Sequence, residues 1–301
     1  MLPYFSEKFG NPGGLYGLGM EAKAAIGKAR EKIAEFLGTE NAEEIVFTPG
    51  GTASINLAIK GLLNALREKK GVSGHLITSA IEHHAVLDTA RRLVKQGFSA
   101  SVTPVNKDGL VNLRDIEKSV RPETVLISIM TANNEVGTLQ PIEEIGTWLE
   151  SLNRQRKEDG LEKIYFHTDA CQAAGALDLD VKKLKVDMLT INGSKIYGPK
   201  GIGALYVKAG TPLCPLLDGG GQERNLVSGT ENVPAIIGLA KALELAEERR
   251  EKENRRLIRL RDYLIAGIKK NISKVRLNGH ATKRLPLVRS EERRVGKECR
   301  S

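Results

Sequence analysis

Short runs of β-branched and apolar residues alternate along this chain with longer stretches of helical periodicity, and that alternation leaves few folds open. Strand candidates fall at 44–48, 75–79, 100–105, 125–130, 164–168, 187–191 and 204–207, and helix candidates at 23–37, 53–70, 85–96, 113–119, 143–155 and 235–271. Strand, helix, strand, helix is the pattern of βαβ units, so an α/β fold is expected: a mostly parallel sheet with helices on both faces. Ligands in such sheets sit beyond the carboxyl ends of the strands. The residues just after each strand are therefore the ones to read for chemistry.

Composition excludes several other classes. With 41% hydrophobic residues over 301 positions, the chain can bury a large core and is not a disordered one. No window approaches 18 consecutive apolar residues, so no transmembrane helix is expected. The first ten residues include Glu7 and Lys8 and lack the basic start and apolar core of a signal peptide. Cys171, Cys214 and Cys299 are far apart and form no CxxC pair, which argues against a disulfide framework or structural zinc and for a reducing cytoplasm. The net charge of +9 does not point to nucleic acid, because seven Lys/Arg and three Glu of that balance lie in residues 281–301 and no aromatic-plus-basic motif accompanies them.

Five strand ends carry polar motifs. Thr48-Pro-Gly-Gly-Thr52 precedes a helix, where glycines let the backbone approach an anion and free N–H groups receive it. The same residues also fit an ordinary strand-to-helix turn. His83 and His84 follow the second strand; either a cap or a catalyst fits His83. Asn133 and Asn134 follow the fourth and suit a polar ligand or an Asn-rich turn. Asp169 ends the fifth, as a partner for a buried cation or as a helix N-cap. Lys195, among Gly193, Ser194 and Gly198 after the sixth, is either a solvated charge or a desolvated amine able to form a Schiff base.

Together these motifs make a set: an anion cradle, an aromatic ring to stack on another, an acid and an amine. That set suits pyridoxal 5′-phosphate, whose phosphate, ring nitrogen and aldehyde need those partners. Their order closely resembles the cysteine desulfurases of the NifS/IscS type, class V of the fold type I pyridoxal-phosphate enzymes. The resemblance runs from Met1 to about Pro286 and rests on Gly10-Asn-Pro, Phe47 to Thr52, Ile81 to Asp88, Asn133 to Gly137, His167 to Gln172, Gly193 to Gly201 and Gly219 to Thr230.

The resemblance implies roles for individual residues. Lys195 matches the Schiff-base lysine, Asp169 the partner of the ring nitrogen, and His83 the stacked histidine that also serves as acid or base. Gln172 and Asn134 match residues around the ring oxygen and the substrate. Gly51 and Thr52 match the phosphate cradle, and Ser194 stands where many members have histidine. Thr230 matches a threonine that reaches the cofactor of the other subunit, which implies a homodimer. Several positions depart from the family: Gly13-Gly14-Leu15-Tyr16 replaces Ser-Ser-x-His, Pro49 a serine and Val227 an arginine.

By the same resemblance, residues 1–22 are a shortened N-terminal segment, 23–235 the cofactor-binding large domain, and 236–286 a connecting helix and the start of a small domain that is largely missing. Residues 287–301 read as a tail foreign to the family. The family's persulfide cysteine and the arginine for the substrate carboxylate fall beyond Pro286, and none of the three cysteines here matches that nucleophile. The expected activity is conversion of L-cysteine to L-alanine, with sulfur passed as a persulfide to a scaffold protein for iron–sulfur cluster assembly. No membrane is expected as a partner, and no nucleic acid except tRNA, indirectly, through thiolation. A selenocysteine lyase, an aminotransferase or a non-catalytic cofactor-binding remnant stand as alternatives.

Overall fold

The computed structural model describes residues 1–71 and 73–287. The chain builds seven strands: β1 (Ile45–Thr48), β2 (His75–Ser79), β3 (Ser99–Thr103), β4 (Thr124–Ser128), β5 (Tyr165–Asp169), β6 (Met188–Asn192) and β7 (Gly203–Val207). They form one sheet in the order β1-β7-β6-β5-β4-β2-β3. The pairings from β3 through β6 are parallel, and β7 runs antiparallel to both β6 and β1. Each expected strand is present, displaced by at most two residues at either end.

The helices are α1 (Pro3–Ser6), α2 (Gly17–Phe36), α3 (Gly51–Asn56), α4 (Leu62–Lys70), α5 (His84–Val94), α6 (Leu113–Ser119), α7 (Ile142–Glu158), α8 (Val181–Leu184) and α10 (Val233–Asn271), with α9 (Gln222–Asn225) a single turn whose Glu223, Arg224 and Asn225 are left-handed. A wider π turn, Leu57–Gly61, joins α3 to α4 without a break. The expected start of α2 at 23 is too late by six residues. Gly17 and Gly19 disfavour a helix by propensity. Yet a Cβ at Gly19 would lie 2.6 Å from the Gly14 carbonyl oxygen and 2.7 Å from that of Asn11. The turn packs on the first helical residues so closely that glycine is required there.

Two cores lie on opposite faces of the sheet, as period-2 alternation along its strands demands. Phe47, Ile127, Phe166, Leu189 and Tyr206 pack with α2, α7 and the first turns of α10. Their chain neighbours Val46, Leu126, Tyr165, Met188 and Leu205 pack with α3, α4 and α5. Full burial of a side chain such as Phe166 stabilises by about 1.5–3 kcal/mol. Helix α10 keeps buried residues only from Val233 to Leu243; its later turns expose Leu260, Tyr263 and Leu264. Residues 288–301, which hold Cys299 and nearly all of the segment read as foreign, lie outside the described residues.

Candidate active site at the strand ends

The parallel strands deliver their carboxyl ends to one edge of the sheet, and the polar motifs meet there. A cavity of about 90 Å³ is lined by Gly51, Thr52, His83, Asn134, Asp169, Gln172 and Lys195, with Met130, Cys171 and Asn192 among the rest of its wall. Lys195 and Gln172 also line a larger cleft of about 1230 Å³ that runs along α10. The sequence places these residues up to 144 positions apart; parallel topology brings them together.

Each side chain is held by its own local structure. Asp169 is the last residue of β5 and is buried. One carboxylate oxygen accepts the Cys171 N–H at 2.9 Å, so the capping role and a place at the cavity coexist. His83 likewise caps α5, its Nδ1 accepting the Ala85 N–H at 3.0 Å. That bond places the proton of the neutral ring on Nε2. Lys195 sits in a 3₁₀ turn, Gly193–Ile196, that ends in Tyr197 at φ 61°. A Cβ on Gly193 would lie 2.8 Å from the Pro199 carbonyl oxygen, which accounts for glycine two residues before the lysine.

The anion cradle is the start of α3. Its cap, Gly50, has φ 145° and offers no side-chain acceptor to the first helical N–H groups. A Cβ at Gly51 would come within 2.9 Å of Cys171 Sγ and 3.3 Å of Asn192 Cβ. Glycine thus keeps open the space in front of a helix N-terminus, the feature that receives a phosphate. An anion cradle, a buried carboxylate, an imidazole and an amine around one cavity fit pyridoxal phosphate.

The two asparagines divide their work. Asn133 builds the turn: its Oδ1 accepts the Glu135 and Val136 N–H groups and its Nδ2 donates to the Ile81 carbonyl. Asn134 faces the cavity. Ser194 and Thr230 are not among the residues lining it; Ser194 is half-buried and Thr230 exposed. His167, inside the Asp169 motif, is a satisfied core histidine, bonded to Ser128 Oγ at 2.9 Å and Thr190 Oγ1 at 3.0 Å. Burial pushes its imidazolium pKa down to about 3, so it stays neutral.

Sequence reasoning passed over Glu82. It is buried beside the site, and burial, with a smaller push from Asp169, raises its carboxyl pKa to about 8. It precedes the cap of α5 by one residue, and no signal in the sequence singled it out.

Comparison with known proteins identifies the family. The aminotransferase class-V family matches residues 1–290. A cysteine desulfurase IscS of Methanosarcina thermophila is 52% identical over 285 residues, covering 95% of this chain and 67% of its own length. A solved NifS-like protein superposes with a TM-score of 0.83 at 40% identity, over 89% of this chain and 70% of that one. A structure of SspA in complex with cysteine gives a TM-score of 0.71 at 46% identity, over 80% and 66%. The chain thus spans about two thirds of the length of these relatives.

Proposed function

This chain belongs to the aminotransferase class-V family, within its cysteine desulfurase branch, and from that premise we propose the following division of labour in a pyridoxal-phosphate enzyme that takes sulfur from L-cysteine and leaves L-alanine. The observation that carries the reading is the convergence of Lys195, Asp169, His83 and the α3 N-terminus on one cavity.

When bound, pyridoxal phosphate supplies an aldehyde that condenses with amines and a ring that withdraws electrons. The amine of Lys195 holds the cofactor and, once released, moves the proton from the substrate Cα. Asp169 holds a proton on the ring nitrogen; its burial keeps water from competing for that contact. Gly51 and Thr52 direct backbone N–H groups at the phosphate. Asn134 and Gln172 orient the ring oxygen and the substrate. His83, with Nδ1 committed to the backbone, leaves Nε2 to exchange a proton with the substrate.

Thr230 is exposed on the loop after α9 and absent from its own chain's cavity wall, which suits service to a second subunit in a homodimer. We place the enzyme in the cytoplasm, where it passes sulfur to an iron–sulfur scaffold protein. Among the described residues no helix is long and apolar enough to cross a membrane. The test is the purified chain supplied with pyridoxal phosphate: bound-cofactor absorbance appears, and it is lost in Lys195→Ala. Cofactor absorbance that survives Lys195→Ala refutes the assignment of the lysine.

A further inference from the structure

Glu82 is a carboxylic acid sealed behind the cavity. Only 6% of its surface is exposed. Its Oε1 accepts two hydrogen bonds, from Ser79 Oγ at 2.6 Å and from the Met130 N–H at 2.9 Å. Its Oε2 is fully buried and has no hydrogen-bond partner among the described residues. An ionised oxygen in that position carries the full cost of burying a charge without a partner, whereas a protonated one carries much less.

The surroundings give these bonds a purpose. Ser79 ends β2, and Glu82 directly precedes His83. Met130 follows β4 and lines the cavity. The Asn133 side chain ties the same two segments together through the Ile81 carbonyl at 3.0 Å. One residue along, the Thr131 N–H donates to the Asp169 carbonyl at 2.9 Å. Glu82 therefore links the segment carrying His83 to the segment that also contacts Asp169.

We propose that Glu82 is a positioning residue kept neutral beneath the site, joining the His83 segment to the end of β4 so that Asp169 is the buried carboxylate left to meet the cofactor ring, while Glu135 lies at the exposed rim of the same cavity. This deepens the cofactor reading above and rests on it. The titratable and charged groups near Glu82 are Asp169 from β5, Glu135 from the turn after β4, Lys195 from the turn after β6 and, next to it in sequence, His83 and His84. Asp169 is the charged group that acts on the Glu82 carboxyl, and it opposes ionisation. Ser79 and the Met130 N–H favour ionisation but are outweighed by burial.

The sign of the pH effect follows. Free glutamate in an unfolded chain titrates near 4.3, and Glu82 in the folded chain at about 8. Between those values the unfolded state has released a proton that the folded state retains, so this group's contribution to stability falls as pH rises. Above about 8 the folded state ionises too, and a second negative charge faces Asp169.

The test compares the unaltered chain with Glu82→Gln and Ser79→Ala. Glutamine keeps the acceptor oxygen and is neutral at every pH. Two readouts are taken from pH 5 to 9: thermal melting without cofactor, and the Kd of pyridoxal phosphate by absorbance. In melting, wild type loses ground to Glu82→Gln steadily as pH rises. In binding, the two agree below pH 7, and wild type weakens several-fold relative to Glu82→Gln by pH 9. Ser79→Ala, which removes a donor that favours the ionised form, moves the wild-type transition to higher pH; it decides the question if Glu82→Gln does not fold. A pH-independent gap in both readouts overturns the proposal, since a purely structural role costs the same at every pH. Failure of every variant and wild type to bind pyridoxal phosphate refutes the cofactor reading instead. The slope of the melting difference then still decides whether Glu82 is neutral.

Discussion

Arg30 and Glu223, 193 residues apart, form a buried two-pronged ion pair, Nη1 to Oε2 at 2.9 Å and Nη2 to Oε1 at 2.5 Å. The pair closes the free edge of β1. Glu223 Oε2 also accepts the Phe47 N–H at 2.7 Å, while Arg30 Nη1 and Arg224 Nη2 donate to the Ile45 carbonyl. The guanidinium of Arg30 lies 4.7 Å above the Phe47 ring. Side chains thus satisfy an edge that another strand would otherwise satisfy. The geometry has a cost: Glu223, Arg224 and Asn225 are consecutively left-handed, with φ of 46°, 58° and 63°. Such a turn costs roughly 1–2 kcal/mol per non-glycine residue and persists only because the ion pair holds it.

Removing one partner of this pair is expected to be severe. Glu223→Ala leaves a buried guanidinium and the Phe47 N–H unpaired, a loss of about 3–5 kcal/mol in urea unfolding. Glu223→Gln retains the acceptor oxygen for Phe47 and loses less. Equal midpoints for wild type and Glu223→Ala would show that the pair contributes nothing.

Lys195 is expected to be the residue modified when the chain is incubated with pyridoxal phosphate, reduced with borohydride and digested. The peptide carrying the label should hold Lys195, since it is the lysine lining the cavity that also contains Asp169. Label on Lys200 or Lys208 instead would displace the site from the end of β6.

Asp169→Asn should separate catalysis from folding. The asparagine Oδ1 still accepts the Cys171 N–H, so stability changes by about 1 kcal/mol or less. A neutral amide cannot hold a proton on the ring nitrogen, so exchange of the substrate Cα proton falls by about 100-fold or more. Comparable losses in melting temperature and in rate would return Asp169 to a capping role alone.

The legible parts of this fold were those where a side chain's own chemistry decides the outcome. His75–Ser79 and Thr124–Ser128 are buried throughout, and buried parallel strands read as continuous β-branched and apolar runs. His83, Asp169 and Lys195 were legible because each follows a strand, where topology must place ligands. What stayed hidden depends on partners distant in sequence. Glu223-Arg224-Asn225 carries no glycine to announce positive φ, because Arg30 imposes the turn. The π turn at Leu57–Gly61 is likewise set from outside: it lets the Gly61 carbonyl accept the Cys214 N–H at 3.0 Å, and a Cβ at Gly61 would lie 2.8 Å from the Cys214 oxygen. Glu82 escaped notice because its burial is a property of three strand ends at once.

The last prediction concerns the two cysteines of the described chain, neither of which is expected to accept the sulfur. An acceptor must be a thiolate that moves to the substrate, and thiolate is favoured by nearby positive charge or a helix N-terminus. Cys171 lies at the cavity wall, close to both the α3 N-terminus and Lys195. Burial nevertheless drives its thiol well above the usual range, Asp169 adds to that effect, and the pull of Lys195 is smaller than either. It is also fixed at the end of a core strand, packed against Gly51, and cannot travel. Cys214 is partly exposed, but burial and the Glu68 carboxylate, 3.1 Å from its sulfur, raise its pKa as well. Iodoacetamide at neutral pH should therefore label neither residue quickly in the native chain, while both react after unfolding. Cys171→Ala removes only the γ-sulfur from a packed position and costs about 1–2 kcal/mol or less. It should leave pyridoxal-phosphate affinity within roughly threefold, which is less than 1 kcal/mol. Rapid native alkylation of Cys171, together with loss of sulfide release in Cys171→Ser, would show that the thiolate is formed despite its burial and that Cys171 is the sulfur acceptor.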